Sequence, residues 1–176
     1  MKKLMIVLAA VAMVAGAQAN TLLWGVTSTA PLDTTKFANA TAYLMYSASS
    51  LSLPAPAGAD ASGNVNVASF STSDLTAGSQ LVTGDVSNGA FLSAGDVVKS
   101  LSGRTYFYMA VLSDDGKYLA ISTSTKTASM GDNENNTNLK WTNTQFKVYT
   151  AAAPEPTSGL LMLVGLGALA LRRRRA

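Results

Sequence analysis

The sequence contains no cysteine and no histidine, and only 13% of its residues are charged. The lack of cysteine excludes disulfides, a thiolate nucleophile and thiolate metal ligands. The lack of histidine removes the commonest general base of enzymes and the commonest protein ligand of metal ions. We therefore expect a protein that is not an enzyme and that uses neither a cofactor nor a metal ion.

Charge is also scarce once the two ends of the chain are set aside. The formal net charge is +3, but Lys2, Lys3 and the four arginines at 172–175 supply six of the thirteen basic residues. The seven that remain are scattered, and they face nine acidic residues if Glu155 is left out, so the middle of the chain carries about −2. Nucleic-acid-binding proteins show a basic stripe or cluster. We expect no nucleic-acid partner.

The first nineteen residues have the three parts of a secretory signal peptide. Lys2 and Lys3 form a positive start, residues 4–16 are apolar, and Ala17-Gln18-Ala19 has the small-x-small pattern of a cleavage site. A spanning helix would need about 20 apolar residues, and a buried amphipathic helix would show a polar face. We therefore predict export, with cleavage by signal peptidase after Ala19.

The middle of the chain consists of short runs rich in β-branched and aromatic residues, separated by turn-forming residues. The runs that we predict as strands are 21–29, 41–49, 65–70, 80–83, 90–92 and 143–151, the last with Phe146 and Val148 on one face. Residues 52–63 and 129–140 are predicted loops, and 90–102 is a weak helix candidate. This spacing predicts an all-β fold: a single antiparallel β-sandwich or barrel-like domain over residues 20–151.

The clearest local signal is Asp115-Gly116 between two strand-like runs, because glycine accepts the positive φ that a type I′ hairpin turn demands. Opposite charges would then meet at the tip and apolar residues further in, as cross-strand pairing prefers. The predicted pairs are Asp114 with Lys117, Ser113 with Tyr118, Leu112 with Leu119, and Val111 with Ala120. A buried helix over 106–112 is the alternative, but the β-branched and aromatic content argues against it.

The sequence offers no catalytic constellation. A glycoside hydrolase would need a pair of carboxylates, but almost every acidic residue stands beside Gly, Asn or Ser, where aspartate serves the turn backbone. There is no phosphate-binding glycine loop and no nucleophile elbow either. The carboxylates considered are Asp33, Asp60, Asp74, Asp85, Asp96, Asp114, Asp115, Asp132 and Glu134.

Two groups of residues have the composition of a binding site, one for calcium and one for a sugar, but each also suits an ordinary structural role. Asp132, Glu134 and Asn136 place oxygen ligands at alternate positions, as a calcium loop does, but positions 137 and 143 lack the glycine and the glutamate of such a loop. We expect a solvated loop there. The aromatic residues could form a sugar-stacking platform, although aromatics at this spacing more often form the core. They are Tyr43, Tyr46, Tyr106, Phe107, Tyr108, Tyr118, Trp141, Phe146 and Tyr149.

The end of the chain has three parts of its own. Prolines on both sides of Glu155 keep that junction extended, which suits a protease cleft. The apolar run 159–171 would span about 20 Å as a helix, and arginine side chains that reach the headgroups narrow the gap to the ~30 Å hydrocarbon core. The arginines hold the C-terminus in the cytoplasm. They are Arg172, Arg173, Arg174 and Arg175.

This ending resembles the PEP-CTERM sorting signal of Gram-negative bacteria. The resemblance rests on Pro154-Glu155-Pro156, on Gly165 and Gly167 in the apolar run, and on the closing arginines. It implies transient insertion in the inner membrane, removal of the tail by an exosortase (a transpeptidase-like membrane protease), and delivery to the cell surface or extracellular matrix. It covers none of the central domain. An ordinary tail anchor is the alternative, but it leaves the PEP motif unexplained.

The chain thus divides into a signal peptide (1–19), a β-rich exported domain (20–151) and a sorting segment (152–176). The expected partners are signal peptidase, an exosortase-type protease and exopolysaccharide. The expected function is that of a structural or adhesive protein of the surface or matrix. The alternative is an exported carbohydrate-binding or hydrolytic protein with a C-terminal membrane anchor.

Overall fold

The computed structural model describes residues 19–99, 101, 103–130 and 135–152. Ten strands and two short 3₁₀ turns, Thr72–Asp74 and Asn143–Gln145, lie within these ranges. The strands are β1 (Ala19–Val26), β2 (Asn39–Ser47), β3 (Asn64–Val65), β4 (Ser79–Ser87), β5 (Phe91–Lys99), β6 (Gly103–Ser113), β7 (Tyr118–Ser122), β8 (Lys126–Met130), β9 (Asn135–Trp141) and β10 (Phe146–Ala151). The fold is mostly β, as predicted.

The strands form a large and a small sheet. In the large sheet the order is β3-β10-β7-β6-β2-β4. β6 pairs with β2 along one edge, while β7 and then β8 occupy successive stretches of its other edge. The small sheet has the order β5-β1-β9. Neither sheet closes on itself, so the barrel-like alternative is wrong.

The expectation of purely antiparallel pairing is also wrong. β1 runs parallel to β9, and β10 runs parallel to β3. Parallel strands need a long crossover connection, whereas turn signals in a sequence indicate only hairpins between neighbouring runs. Strands that pair over a long distance in the chain have no turn signal between them, so their parallel pairing could not be predicted.

The main core lies between the two sheets. Because side chains alternate along a strand, β1 contributes Trp24 and β9 contributes Trp141 from the same face of the small sheet, and both are fully buried. The large sheet meets them with alternate residues of β6 and β2. These residues include Phe107, Met109, Val111, Ala42 and Leu44. Phe146 and Val148 share this face, as predicted.

A second core covers the other face of the large sheet. The segment 48–78, part of which is the predicted loop, packs Leu51, Leu53 and Phe70 against that face. The fully buried Tyr108 of β6 donates its hydroxyl hydrogen to the Ala77 carbonyl oxygen at 2.7 Å, which ties the end of the segment to the sheet. The segment therefore forms a third layer and is more than a connection between strands.

The hairpin between β6 and β7 has the predicted register, with Leu112 opposite Leu119 and Val111 opposite Ala120. The turn differs from the prediction, because the Gly116 N–H donates to the Ser113 carbonyl oxygen at 2.9 Å and only Gly116 has a positive φ. The turn is thus centred one residue earlier than expected. The charge pair at the tip differs too, because Lys117 contacts Asp115 at 3.2 Å.

The type I′ turn of the described chain lies elsewhere, at Asn88-Gly89, where both residues have positive φ. Ser87 and Ala90 exchange backbone hydrogen bonds of 3.2 Å across it. Asn-Gly is the strongest short-range hairpin signal, and the sequence analysis missed it. This turn matters for the architecture because it carries the chain from β4 in the large sheet to β5 in the small one.

Three other boundaries depart from expectation. The predicted strand 65–70 is ordered as a strand only over Asn64–Val65, and the weak helix candidate 90–102 contains β5 instead. The predicted polar loop 129–140 contains the end of β8 and all of β9 except its last residue, Trp141. Backbone pairing with β6 and β1 overrides the low β-propensity of the asparagines in that stretch.

Candidate functional site

The outer face of the small sheet has a row of three paired residues whose middle member has no side chain. Leu92 of β5 pairs with Gly25 of β1, and Gly25 pairs with Lys140 of β9. The flanking residues Trp24 and Val26 point into the core, so the row faces outward. Leu92 and Lys140 are therefore separated by a position that contributes only backbone.

Glycine is required at the middle of this row. Gly25 has φ +151°, and a Cβ built there would collide with the carbonyl oxygen of Phe91. The close approach of β5 to β1 thus excludes any side chain, as is typical of glycine inside a strand. A register shift between Leu22 and Leu23 precedes it in the same strand pair.

A groove of about 480 Å³ opens beside this row, which is within the size range of ligand pockets (roughly 300–1,000 Å³). Its lining combines apolar and hydroxyl side chains with one described cation, Lys140. The lining residues are Val26, Thr27, Ser28, Thr29, Ser87, Ala90, Phe91, Leu92 and Lys140. Leu92 is 53% exposed, and the Phe91 ring packs edge-on to Trp24 at 4.8 Å.

Lys140 differs from the other basic residues whose side chains the structure describes, because it has neither a carboxylate nor an aromatic ring as a partner. Each of the others has one. Lys36 contacts Asp33 and the Tyr118 ring, Lys117 contacts Asp115, Arg104 lies over Tyr106, Lys126 over Trp141 and Lys147 over Tyr149. The ammonium group of Lys140 can therefore contact a group that is not one of these described side chains.

Two buried polar atoms next to the groove lack hydrogen-bond partners. They are the Thr27 hydroxyl oxygen and the Trp141 indole nitrogen. The two residues are joined through their backbones, because the Thr27 N–H donates to the Trp141 carbonyl oxygen at 3.0 Å. An unsatisfied buried polar atom costs about 1–3 kcal/mol, and such atoms are rare in folded proteins.

A smaller depression of about 200 Å³ lies at the tip of the β6–β7 hairpin, beside Lys36, Asp115 and Tyr118. Lys36 and Asp115 are already paired within the protein, as Lys36 lies 3.5 Å from Asp33 and Asp115 lies 3.2 Å from Lys117. The cation of this depression is therefore engaged, unlike Lys140. The groove beside Lys140 is the better candidate site.

Four of the described aspartates serve turns, as the sequence analysis expected, whereas Asp85 lies within β4. Asp74 accepts a hydrogen bond of 2.7 Å from the Ser71 N–H at the first 3₁₀ turn. For three others, hydrogen bonds from the turn lower the pKa of the carboxyl group, because they favour its ionised form. The pairs are Asp33 with the Thr35 hydroxyl, Asp60 with the Asn64 N–H and Asp115 with the Lys117 N–H.

The aromatic residues considered as a sugar platform belong mainly to the two cores. Phe107, Tyr108 and Trp141 are fully buried, and Phe146 and Tyr149 are nearly so. This confirms the core interpretation. The aromatic ring that lines the groove is Phe91, which the sequence analysis did not single out.

Most residues predicted for sorting lie outside the described ranges. These are Ala17, Pro154, Glu155, Pro156 and the arginines at 172–175, together with residues 131–134 of the weighed calcium loop. Ala19 is the first residue of β1, while Asn135 and Asn136 lie in β9. Within the ranges described, no helix is long and apolar enough to cross a membrane, and no cluster of three acidic side chains could hold a metal ion.

The structure does define where the C-terminal segment leaves the fold. β10 ends at Ala151, whose N–H donates to the Lys117 carbonyl oxygen at 2.8 Å. The next N–H, of Ala152, donates to the Val65 carbonyl oxygen at 2.7 Å. Only Ala153 then precedes Pro154 in the sequence.

Residues 152–175 match the family model of the PEP-CTERM protein-sorting motif. The chain carries a PEP-CTERM motif. This motif belongs to exported proteins that an exosortase processes, and it starts where the hydrogen bonds of β10 end. The rest of the chain has no family assignment, and neither a curated protein nor a solved structure matches it significantly.

The sequence analysis found the PEP-CTERM motif but missed the groove. The motif is contiguous and distinctive in composition. The groove depends on Gly25, Leu92 and Lys140, which come from three strands far apart in the chain. The available signal was a lone glycine inside a run of strand-forming residues, which points to a close backbone approach.

Proposed function

We propose that this protein is a structural or adhesive component of the cell surface or extracellular matrix, that it is not an enzyme, and that it associates with exopolysaccharide. The PEP-CTERM motif at 152–175 carries the proposal, because it directs the exported domain to an exosortase. Signal peptidase would act at Ala19 and the exosortase in the Pro154–Pro156 region. The apolar run 159–171 and the arginines would hold the chain in the inner membrane until then.

The make-up of the exported domain supports a role without catalysis. Three of its described aspartates are held by turn hydrogen bonds that lower their pKa values, whereas a catalytic acid needs a raised pKa. The protein also lacks histidine and cysteine. The groove beside Lys140 supplies a surface suited to binding.

Processing is tested by replacing Pro154-Glu155-Pro156 with three alanines. We expect the variant to stay in the inner membrane with its tail attached, because the apolar run and arginines remain while the protease loses its recognition sequence. The wild-type chain should yield surface material with peptides from the domain and none from position 160 onward by mass spectrometry. Replacing Pro54 and Pro56, which also flank a single residue, with alanine is the matched control and should leave processing unchanged.

The alternatives predict different outcomes of the same measurements. A full-length tail on protein recovered from the cell surface would contradict sorting by an exosortase and favour the plain membrane anchor. Hydrolysis of any polysaccharide by the purified protein, detected as new reducing ends, would contradict the non-enzymatic role while leaving the sorting route intact.

A further inference from the structure

We propose that the groove beside Lys140 binds a carboxylated sugar unit of an acidic polysaccharide, with the Lys140 ammonium group contacting the sugar carboxylate. This inference rests on the proposed association with exopolysaccharide and names the ligand class and its site. Neither the motif match nor the fold assigns this groove a ligand.

The charge in the groove favours an anion. Lys140 is the described lysine without a carboxylate or aromatic partner, and it is the charged residue of the groove lining. A lysine ammonium acts as a compact charge with three donors, so it suits the carboxylate of a uronic acid. Hydrogen bonds to charged groups are about twice as strong as neutral ones.

The remaining lining favours a sugar over a peptide. Three hydroxyl side chains of the lining can exchange hydrogen bonds with sugar hydroxyls, and they are Ser28, Thr29 and Ser87. Leu92 offers an exposed apolar surface for the C–H face of a sugar ring.

The form of the groove favours a unit within a polymer. Its lining includes Leu92 and Lys140, the two side chains of the outer row, between which Gly25 contributes only backbone. A chain of sugars can therefore pass across the row with one carboxylate directed at Lys140. A closed pocket would admit only a chain end.

The test compares two oligosaccharides that differ only at C6 of each sugar, a β-1,4-linked glucuronic acid tetrasaccharide with carboxylates there and cellotetraose with neutral hydroxymethyl groups. The protein is purified in the form that the producing cells accumulate, and affinities are measured by calorimetry at low salt. We expect the acidic tetrasaccharide to bind at least about tenfold more tightly, the ratio that corresponds to one charge-assisted hydrogen bond. Lys140→Gln should reduce this preference to within about twofold, and higher salt should weaken it.

Two variants control for general effects of charge and for folding. Lys147→Gln removes the same charge on the large sheet, outside the groove, and should leave both affinities unchanged. Leu92→Ser should weaken both sugars, because it removes the apolar contact they share. Hydrogen exchange should show protection in β1, β5 and β9 on binding. Thermal melting establishes that each variant is folded.

Five results would overturn the proposal. Unchanged affinity in Lys140→Gln, or an equal loss of affinity in Lys147→Gln, would show that the acidic sugar does not bind in the groove. Equal binding of tetraglutamate with the same dependence on Lys140 would show that the groove recognises an anion and does not select a sugar. Tight binding of neutral sugars without that dependence would contradict this inference but leave the exopolysaccharide association standing. No binding of any polysaccharide by correctly processed protein would contradict both, with the sorting route unaffected.

Discussion

At the scale of single residues, Gly116 shows how one backbone position supports two parts of the fold. Its φ is +66°, a region that residues with a side chain rarely adopt. Its carbonyl oxygen accepts a hydrogen bond of 2.6 Å from the Phe70 N–H, so the hairpin tip also holds the segment that covers the large sheet. A Cβ added here would lie 3.1 Å from the Ser69 Cβ and 3.2 Å from the Phe70 carbonyl oxygen.

Gly116→Val should therefore lower the free energy of unfolding by about 1–3 kcal/mol, the usual cost of a strained backbone conformation. Gly58→Val is the matched control, because Gly58 also has a positive φ but has nothing within 4 Å of an added Cβ. In urea unfolding, the free energy of unfolding of Gly116→Val should be lower than that of Gly58→Val, and both should be lower than that of the wild type. A Gly116→Val protein as stable as the wild type would contradict the turn geometry.

At the scale of elements, the segment 48–78 is held on the large sheet by apolar contacts and by Tyr108. Burial raises the pKa of Tyr108 to about 12, because the charged form of a tyrosine is poorly solvated in the interior. An unfolded tyrosine ionises near pH 10. Between about pH 10 and about pH 12 the unfolded chain therefore loses a proton that the folded protein keeps.

This difference predicts that the contribution of Tyr108 to the free energy of unfolding is fully present below about pH 10 and is lost as the pH rises toward about 12. Tyr108→Phe should flatten that dependence, which denaturant midpoints measured from pH 8 to pH 12 would detect. At neutral pH it should cost about 1–2 kcal/mol, because the Ala77 carbonyl oxygen loses its donor. Tyr106→Phe, on the same strand but only half-buried, is the control. An unchanged pH profile in Tyr108→Phe would contradict the prediction.

The elements that could be predicted from the sequence are those formed between neighbouring runs. The register of β6 with β7 follows from a local turn signal and an apolar pattern. The small sheet could not be predicted in the same way, because Trp24 on β1 pairs with Leu139 on β9 across most of the domain. The groove depends on that pairing, so it was not predictable either. The PEP-CTERM tail needs no tertiary contact to be read, which is why it was found.

At the scale of the whole molecule, the exported domain meets its processing motif with almost no connecting chain. Ala152 is hydrogen-bonded to Val65, and Pro154 follows two residues later. Two extended residues span at most about 7 Å. A protease that takes the Pro-Glu-Pro region into its cleft must work next to the folded domain, unless the end of β10 opens locally.

A flexible spacer should therefore speed tail removal. Inserting Gly-Ser-Gly-Ser-Gly-Ser after Ala152 separates the PEP-CTERM motif from β10 without changing either, and pulse-chase labelling would follow loss of the tail. The same spacer inserted after the exposed Gly58 should leave the rate unchanged. Equal rates for the Ala152 insertion and the wild type would show that closeness of the domain does not limit the protease.

The parallel pairing of β1 with β9 also has a consequence for the order of folding. A chain exported from its N-terminus releases β1 first, yet β1 reaches its partner Trp141 only after nearly the whole domain has crossed. Distant pairings of this kind form slowly. On the sorting route proposed above, the small sheet would then assemble outside the inner membrane, late in translocation, when the PEP-CTERM tail is the part still inside. The tail would thus hold the chain at the membrane during the interval in which its last sheet is completed.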